Sequence, residues 1–408
     1  MKKTILSLVA ISAISTTGVL ADSTTDIAEL KAMMMEMNKR LATLETENKQ
    51  LKAQVKKTKT AVASSRKRYA SKGVVLADNS LEERVEKLEK HTTVKSKAPV
   101  LKFSGKHYLG FVSDSEKNTN KFETRRNYLQ VKGYFADNPK DYFRITLDTH
   151  HDETGDWKVR LKYAYLYLDN VLPFTGVEIG QAHRPWIDYE EHHGWFYRSI
   201  SKVLVEDSNA AHFTNSADLG VNFKTKTENF SSELGIFNGE GYHGDTDGNT
   251  NLSGEWRLTA HLLGTGTKHV HKSDTYANIS FFGQYNTDYK ETTTSGPKDD
   301  FVWYGLHAVY NQPEFLVAAQ YVEATDGGVD KEGNGWSLNG EFRFAEKWNL
   351  LGRYDSFDLD AGEEKERKIV GVAYKYNKNV EFIANYLNEE IDNNTKTDAA
   401  MLTAEVNW

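Results

Sequence analysis

Beyond residue 21 no stretch of this chain approaches the roughly 20 consecutive apolar residues that a membrane-spanning helix needs. From Val100 to Trp408, however, it runs in segments of about ten residues in which apolar and polar side chains alternate. In a strand, alternate residues point to opposite faces. Trp336, Leu338, Gly340, Phe342 and Phe344 therefore share one face, and Ser337, Asn339, Glu341 and Arg343 share the other. Trp348, Leu350 and Tyr354 oppose Asn349, Arg353 and Asp355 in the same way, and Val370 to Tyr376 and Val380 to Tyr386 repeat the pattern. A soluble sandwich or β-helix would turn its polar face outward, whereas here one face is apolar and the other charged. Hydrocarbon tolerates no unpaired backbone group, so a chain that enters a membrane as strands must close them into a barrel. The segments number about sixteen, an even count that returns both ends to one rim. The fold class expected is an all-β transmembrane barrel of about 16 antiparallel strands, preceded by an α-helical coiled coil. Tyr163, Tyr165, Tyr167, Trp348 and Tyr376 fall near strand ends, where aromatic girdles are expected.

Tight turns are expected at Asn138-Pro139-Lys140, Gln312-Pro313-Glu314, Glu346-Lys347 and Asn377-Lys378-Asn379. Longer loops are expected at Asn286 to Asp299, Asp326 to Gly335 and Asp392 to Thr397, giving one short-turned rim and one long-looped rim. One segment neither alternates nor turns tightly: Arg184 to Ala211, which carries Arg184, Asp188, Glu190, Glu191, Arg198, Lys202, Glu206 and Asp207. A structureless segment of this length in a compact domain is usually functional. It is expected to fold into the barrel mouth and narrow the pore, with Arg184, Asp188, Glu190, Glu191 and Arg198 at the constriction.

Ahead of the barrel, residues 1–21 have Lys2 and Lys3, an apolar run centred on Ile5 to Ile14, and Val19-Leu20-Ala21, the pattern of a secretory signal peptide. In residues 22–59, Ile27, Leu30, Met34, Met37, Leu41, Leu44, Asn48, Leu51 and Val55 fall at a and d positions of about four heptads. Asn48 occupies an a position, where a buried amide fixes register, and Arg40 with Glu45 and Glu47 with Lys52 support parallel pairing. A lone amphipathic helix would show the same stripe. Residues 60–99 form a basic linker with a short helix, whose Ser80 and Glu83 make a capping box. The basic stretch beginning at Lys56 suits either plain solvation or an anionic polymer such as peptidoglycan. A net charge of −7 suggests no nucleic-acid partner, and the lack of cysteine excludes disulfides, thiolate metal sites and a cysteine nucleophile.

The last strand alternates Ala400, Leu402, Ala404, Val406 and terminal Trp408 with Met401, Thr403, Glu405 and Asn407. It resembles the aromatic-ended assembly signal of Gram-negative outer-membrane proteins. A long loop between a fifth strand near Val177 to Ala182 and a sixth near Phe213 to Lys226 is similar to the inward third loop of sixteen-stranded trimeric porins. The coil ahead of the barrel, with Val177-Glu178-Ile179-Gly180-Gln181 running into Arg184-Pro185, resembles the phosphate-selective porin O and P group. The resemblance implies a homotrimer in the cell outer membrane, its coil in the periplasm, contacting lipid outside and passing small ions and solutes, phosphate among them. Departing from that group, the sequence shows no rung-by-rung arginine ladder.

With the outward faces assigned, Lys102, Lys106, Arg126, Lys132, Arg144, Lys158, Arg160 and Lys162 point inward from the first four strands, with Asp148 the main acid among them. Later strands add Arg257, His261, Glu341, Arg343, Arg353 and Asp355. Lumenal charge keeps any such channel wet. The sharper expectation is that this basic wall faces Asp188, Glu190 and Glu191 across the constriction and favours anions. His150-His151-Asp152, His192-His193 and His269-Val270-His271 raise metal or acid–base chemistry. None has a third ligand or nucleophile at recognisable spacing, so neither an enzyme nor a cofactor or metal site is expected. The remaining alternative is a structural tether, in which the barrel only anchors the coil.

Overall fold

The computed structural model of the protein describes residues 100–408 apart from residue 153 and residues 244–251, 290–298 and 327–330. The signal peptide, the coil with Asn48 and the basic linker lie outside the described residues. Sixteen antiparallel strands follow one another around a closed barrel. They are β1 (Val100–Asp114), β2 (Thr119–Tyr134), β3 (Tyr142–His151), β4 (Trp157–Leu172), β5 (Thr175–His183), β6 (Ala217–Lys226), β7 (Phe230–Phe237) and β8 (Ser253–Leu263). The second half comprises β9 (Tyr276–Tyr289), β10 (Asp299–Gln312), β11 (Phe315–Asp326), β12 (Gly333–Phe344), β13 (Trp348–Leu359), β14 (Glu364–Lys375), β15 (Val380–Ile391) and β16 (Asn394–Asn407). A short helix, α1 (Ile187–His193), lies in the β5–β6 connection.

β1 closes against β16, with Lys106 opposite Asn407 and Asp114 opposite Ala399. Closure removes the unpaired edges that an open sheet would expose. At the seam the Gly105 amide donates to the Trp408 carbonyl at 2.8 Å and the Trp408 amide returns a bond to Gly105 at 3.1 Å. A Cβ on Gly105 would lie 2.4 Å from the Trp408 indole, so only glycine leaves room for that ring. Along the strands the alternation resolves as expected. Leu338, Leu350, Val370, Phe382 and Leu402 are exposed on the outside, while Asn339, Arg353, Asp355 and Thr403 are buried within.

Two bulges change which residues reach the lumen. In β2 the register slips beside Tyr108, so that Arg125 is an extra residue; its guanidinium donates to the Ser199 carbonyl and the Thr403 hydroxyl, both at 2.8 Å. In β4, Thr146 faces Tyr163 and Leu147 faces Leu161, which leaves Lys162 unpaired. An extra residue reverses the phase of everything after it. Arg160 points inward before the bulge, and Tyr163 and Tyr165 are buried inside after it. These tyrosines were expected in a lipid-facing girdle; the bulge turns them inward, and Tyr167 packs with them.

The rims depart from a simple short-and-long division. The expected turns near Pro139, Pro313, Glu346 and Lys378 all lie on the rim that carries the strand-region termini. On the opposite rim, the expected loop from Asp392 to Thr397 is a two-residue turn, with Asp392 at φ 50° and Asn393 at φ 58°, after which Asn394 already pairs with Ile391. Both residues tolerate positive φ, and a two-residue turn of that geometry matches the strand twist. Conversely, the short-turned rim carries one long connection, from residue 264 to residue 275 between β8 and β9.

Candidate functional site

The interior of the barrel is occupied by the β5–β6 loop, residues 184–216. Its entry is anchored by Arg184, whose Nε donates to Glu255 at 2.9 Å and whose Nη2 donates to Gln284 at 2.6 Å. Trp186 then stacks on Phe282 with ring centroids 3.6 Å apart. The rest of the loop is largely apolar: Ile187, Trp195, Val203, Leu204, Val205 and Phe213 are buried against Phe301, Trp303, Val322, Leu351, Phe357, Ile369 and Met401 from β10 to β16. The inner faces of these later strands therefore are not purely polar, as alternation alone implied, but carry the complementary half of an intralumenal core. Each such side chain contributes about 1.5–3 kcal/mol when fully buried, so the loop is held along its length. Polar ties reinforce it: Asn339 donates to the Gly194 carbonyl at 2.7 Å, Asn209 to Glu389 at 2.8 Å, and Arg367 pairs with Asp207.

The five constriction residues read from the sequence do different jobs. Arg184 is buried in its bond with Glu255. Arg198 pairs within the loop with Glu191 and Glu206, so the charge of Glu191 is taken up locally, in a cluster that lies close to Arg126 and Lys162 of the basic wall. Glu190 points the opposite way, taking a bond from the Trp186 indole at 2.8 Å and lying 3.8 Å from Arg353 of β13. Burial pushes its carboxyl up to about 7, against the pull of Arg353. Asp188 faces the basic side, 3.8 Å from His183 and 3.6 Å from His192. Of the expected bank of three carboxylates, helical spacing turns Glu190 to a different face of α1 from Asp188, while Glu191, i+3 from Asp188, is neutralised by Arg198.

With the loop packed on β9 to β16, space is left against the earlier strands and, nearer the strand-termini rim, also against β12 to β16. A cavity of about 500 Å³ is lined by Lys132, Arg144, Glu178, Asp188, Lys224 and Lys268, among others. The cations on this side lean on aromatic rings rather than on carboxylates. Lys132 lies 4.6 Å from the Tyr142 ring, Arg144 4.6 Å from Tyr163, and Arg126 4.6 Å from Tyr128. Lys162 sits 4.9 Å from Tyr128, and Lys102 4.9 Å from Tyr134 near the strand-termini rim. Lys106 occupies the lumenal side of β1 beside the seam. Arg160 and Lys158 are instead neutralised locally, by Asp148 at 3.3 Å and Asp152 at 2.8 Å, and Lys158 is largely exposed at the rim. Lys224, not singled out from the sequence, pairs with Glu178 at 3.1 Å and Glu233 at 3.3 Å. Its alternation with Phe223 and Thr225 was the signal that could have found it.

No known protein-family profile matches the chain, and no curated protein matches it in sequence. Solved structures do match. The trimer form of OmpT, an outer membrane protein of Vibrio cholerae, superposes with a TM-score of 0.55 at 13% identity, covering 76% of this chain and 100% of that one. The anion-selective porin from Comamonas acidovorans gives 0.54 at 11% identity, over 76% and 98%. OmpF of Salmonella typhi, in complex with daunomycin, gives 0.57 at 11% identity, over 77% and 99%. With its sixteen strands closed into one barrel and a long connection after the fifth folded inside, the chain has the fold of the Gram-negative outer-membrane porins.

Proposed function

We propose that the protein is an outer-membrane porin that passes small hydrophilic solutes and ions by diffusion, with a preference for anions. One observation carries the reading: on the β2 to β8 side the loop leaves open a cavity lined by Lys132 and Arg144, which lean on tyrosine rings and have no ion-paired carboxylate of their own among the described residues. A cationic lining raises the local anion concentration. The anion selectivity of the Comamonas neighbour agrees with this direction. The exposed outer band suits lipid contact, and the trimer form of the Vibrio neighbour supports assembly as a homotrimer. On this reading the coil of residues 22–59 stands in the periplasm, where the basic linker is suited to peptidoglycan. Phosphate remains a candidate solute by resemblance.

The test is reversal potential in a planar bilayer under a low-salt potassium chloride gradient. The wild type should favour chloride, and Lys132→Gln with Arg144→Gln should lower the anion-to-cation permeability ratio by about fourfold per charge, because a unit charge about 10 Å away in water changes the anion and cation occupancies about twofold each in opposite directions. Both effects should shrink at 1 M salt, where the Debye length is about 3 Å. Cation preference in the wild type would overturn the anion reading. Silence of correctly folded protein would favour a barrel that only tethers the coil.

A further inference from the structure

The β8–β9 connection, residues 264–275, rises from the rim of short turns and meets the β5–β6 loop inside the barrel. Val270 is buried with Tyr276, Val309 and Leu316, and Phe196 of the loop packs against the same group. Lys272 lies 4.3 Å from the Tyr197 ring and reaches Glu341 at 3.8 Å and Glu381 at 3.9 Å. Its carbonyl accepts from Arg343 at 2.7 Å. Tyr276, at the foot of β9, donates to the His193 carbonyl at 2.7 Å. A turn with these attachments is a built element. It also divides the space below the loop: Lys268 and His269 line the 500 Å³ cavity on the β2 to β8 side, whereas His271 and Lys272 line a separate cavity of about 700 Å³ bounded by β12 to β16.

At the join stand imidazoles from two segments that are 77 residues apart by number, His192 of α1 and His269 of the turn, with ring centroids 5.8 Å apart. His271 follows at 5.3 Å from His269. Both His192 and His269 line the smaller cavity, together with Lys132 and Arg144.

We propose that the β8–β9 turn is a second constriction element of the passage, and that His192 and His269, which meet where the turn joins α1, make ion selectivity depend on pH. This rests on the porin reading above. Facing the pair are Asp188 and His193 on α1, Lys226 of β6, Arg257 and His261 of β8, and Lys268 and His271 of the turn. Burial first, and the adjacent His192 and His271 next, hold the His269 imidazole below its ordinary value. His269 therefore takes up its proton at a lower pH than a free imidazole does. His193, buried and stacked on Tyr189, is held down at about 3 and stays neutral. Protonation adds positive charge beside Lys226 and Lys268, so anion preference rises as pH falls.

The full-length protein in planar bilayers, with a potassium chloride gradient read at pH 7.5 and 5.0, tests this. The wild-type anion-to-cation ratio should rise by up to about fourfold for each imidazole charged. His192→Asn with His269→Asn should abolish at least half of that rise; carboxylate titration is common to both proteins and does not distinguish them. If the double variant fails to reach the heat-modifiable folded form, His269→Gln alone should remove a smaller share. Lys268→Gln should lower the ratio at both pH values. A pH response in the folded histidine variant equal to wild type, or no effect of Lys268→Gln, overturns the proposal. Absence of any conductance in the wild type would instead defeat the underlying porin reading.

Discussion

Arg184 and Glu255 show how far a charged residue's role depends on its partner. Both side chains are almost fully buried, and they are 71 positions apart. Removing one partner leaves the other charged and desolvated, which costs about 3–5 kcal/mol, whereas replacing both by apolar residues of similar volume is often neutral. Arg184→Ala should therefore lower the midpoint of urea unfolding of the refolded barrel and loosen the loop. Arg184→Met with Glu255→Leu should restore most of the loss. Equal destabilisation by the single and the double change would show that the pair does not anchor the loop. In the sequence Arg184 was indistinguishable from a pore-lining cation, because nothing local identifies a partner on another strand. The same applies to Glu190 and Glu191, whose charges are taken up by Arg353 and Arg198 rather than offered to the passage.

For the β5–β6 loop as an element, the apolar residues matter more than the charges that drew attention to it. Leu204 is fully buried at the centre of the intralumenal core. Leu204→Ala should cost about 2–5 kcal/mol, and Leu204→Asp more, since a carboxylate would be placed among Phe and Ile side chains without a partner. The loop should detach from the β9 to β16 wall. Single-channel conductance should rise in Leu204→Asp and fluctuate in Leu204→Ala. Unchanged conductance with both proteins folded would mean that the loop does not limit the passage. The existence of this element was legible from its broken alternation between two readable strands. The wall it settles on was not, since buried apolar residues on the inner faces of β10 to β16 look the same in sequence as a simple interruption of pattern.

In the molecule as a whole, closure depends on the seam between β1 and β16. Deleting Trp408 removes two backbone bonds to Gly105 and the indole that bonds His107 at 3.0 Å. The shortened chain should remain unassembled and run at the denatured position on an unheated gel. Trp408→Phe should assemble, because the ring and both backbone bonds persist. A heat-modifiable, membrane-inserted barrel after deletion would show that the seam closes without its terminal residue.

Strand number, strand direction and the lipid-facing side were readable from the order of residues, because a period of two is imposed by strand geometry and the outer face must be apolar wherever it meets hydrocarbon. That logic is local and repeats sixteen times, so it survives without knowledge of neighbours. It failed where one residue broke the phase, at Arg125 and Lys162, since a bulge is chosen by the pairing of two strands and not by the strand that carries it. It was silent on the interior. Which charges stay free, which are paired, which wall the loop covers and where the β8–β9 turn reaches all depend on groups brought together from distant parts of the chain, and only closing the barrel makes them neighbours.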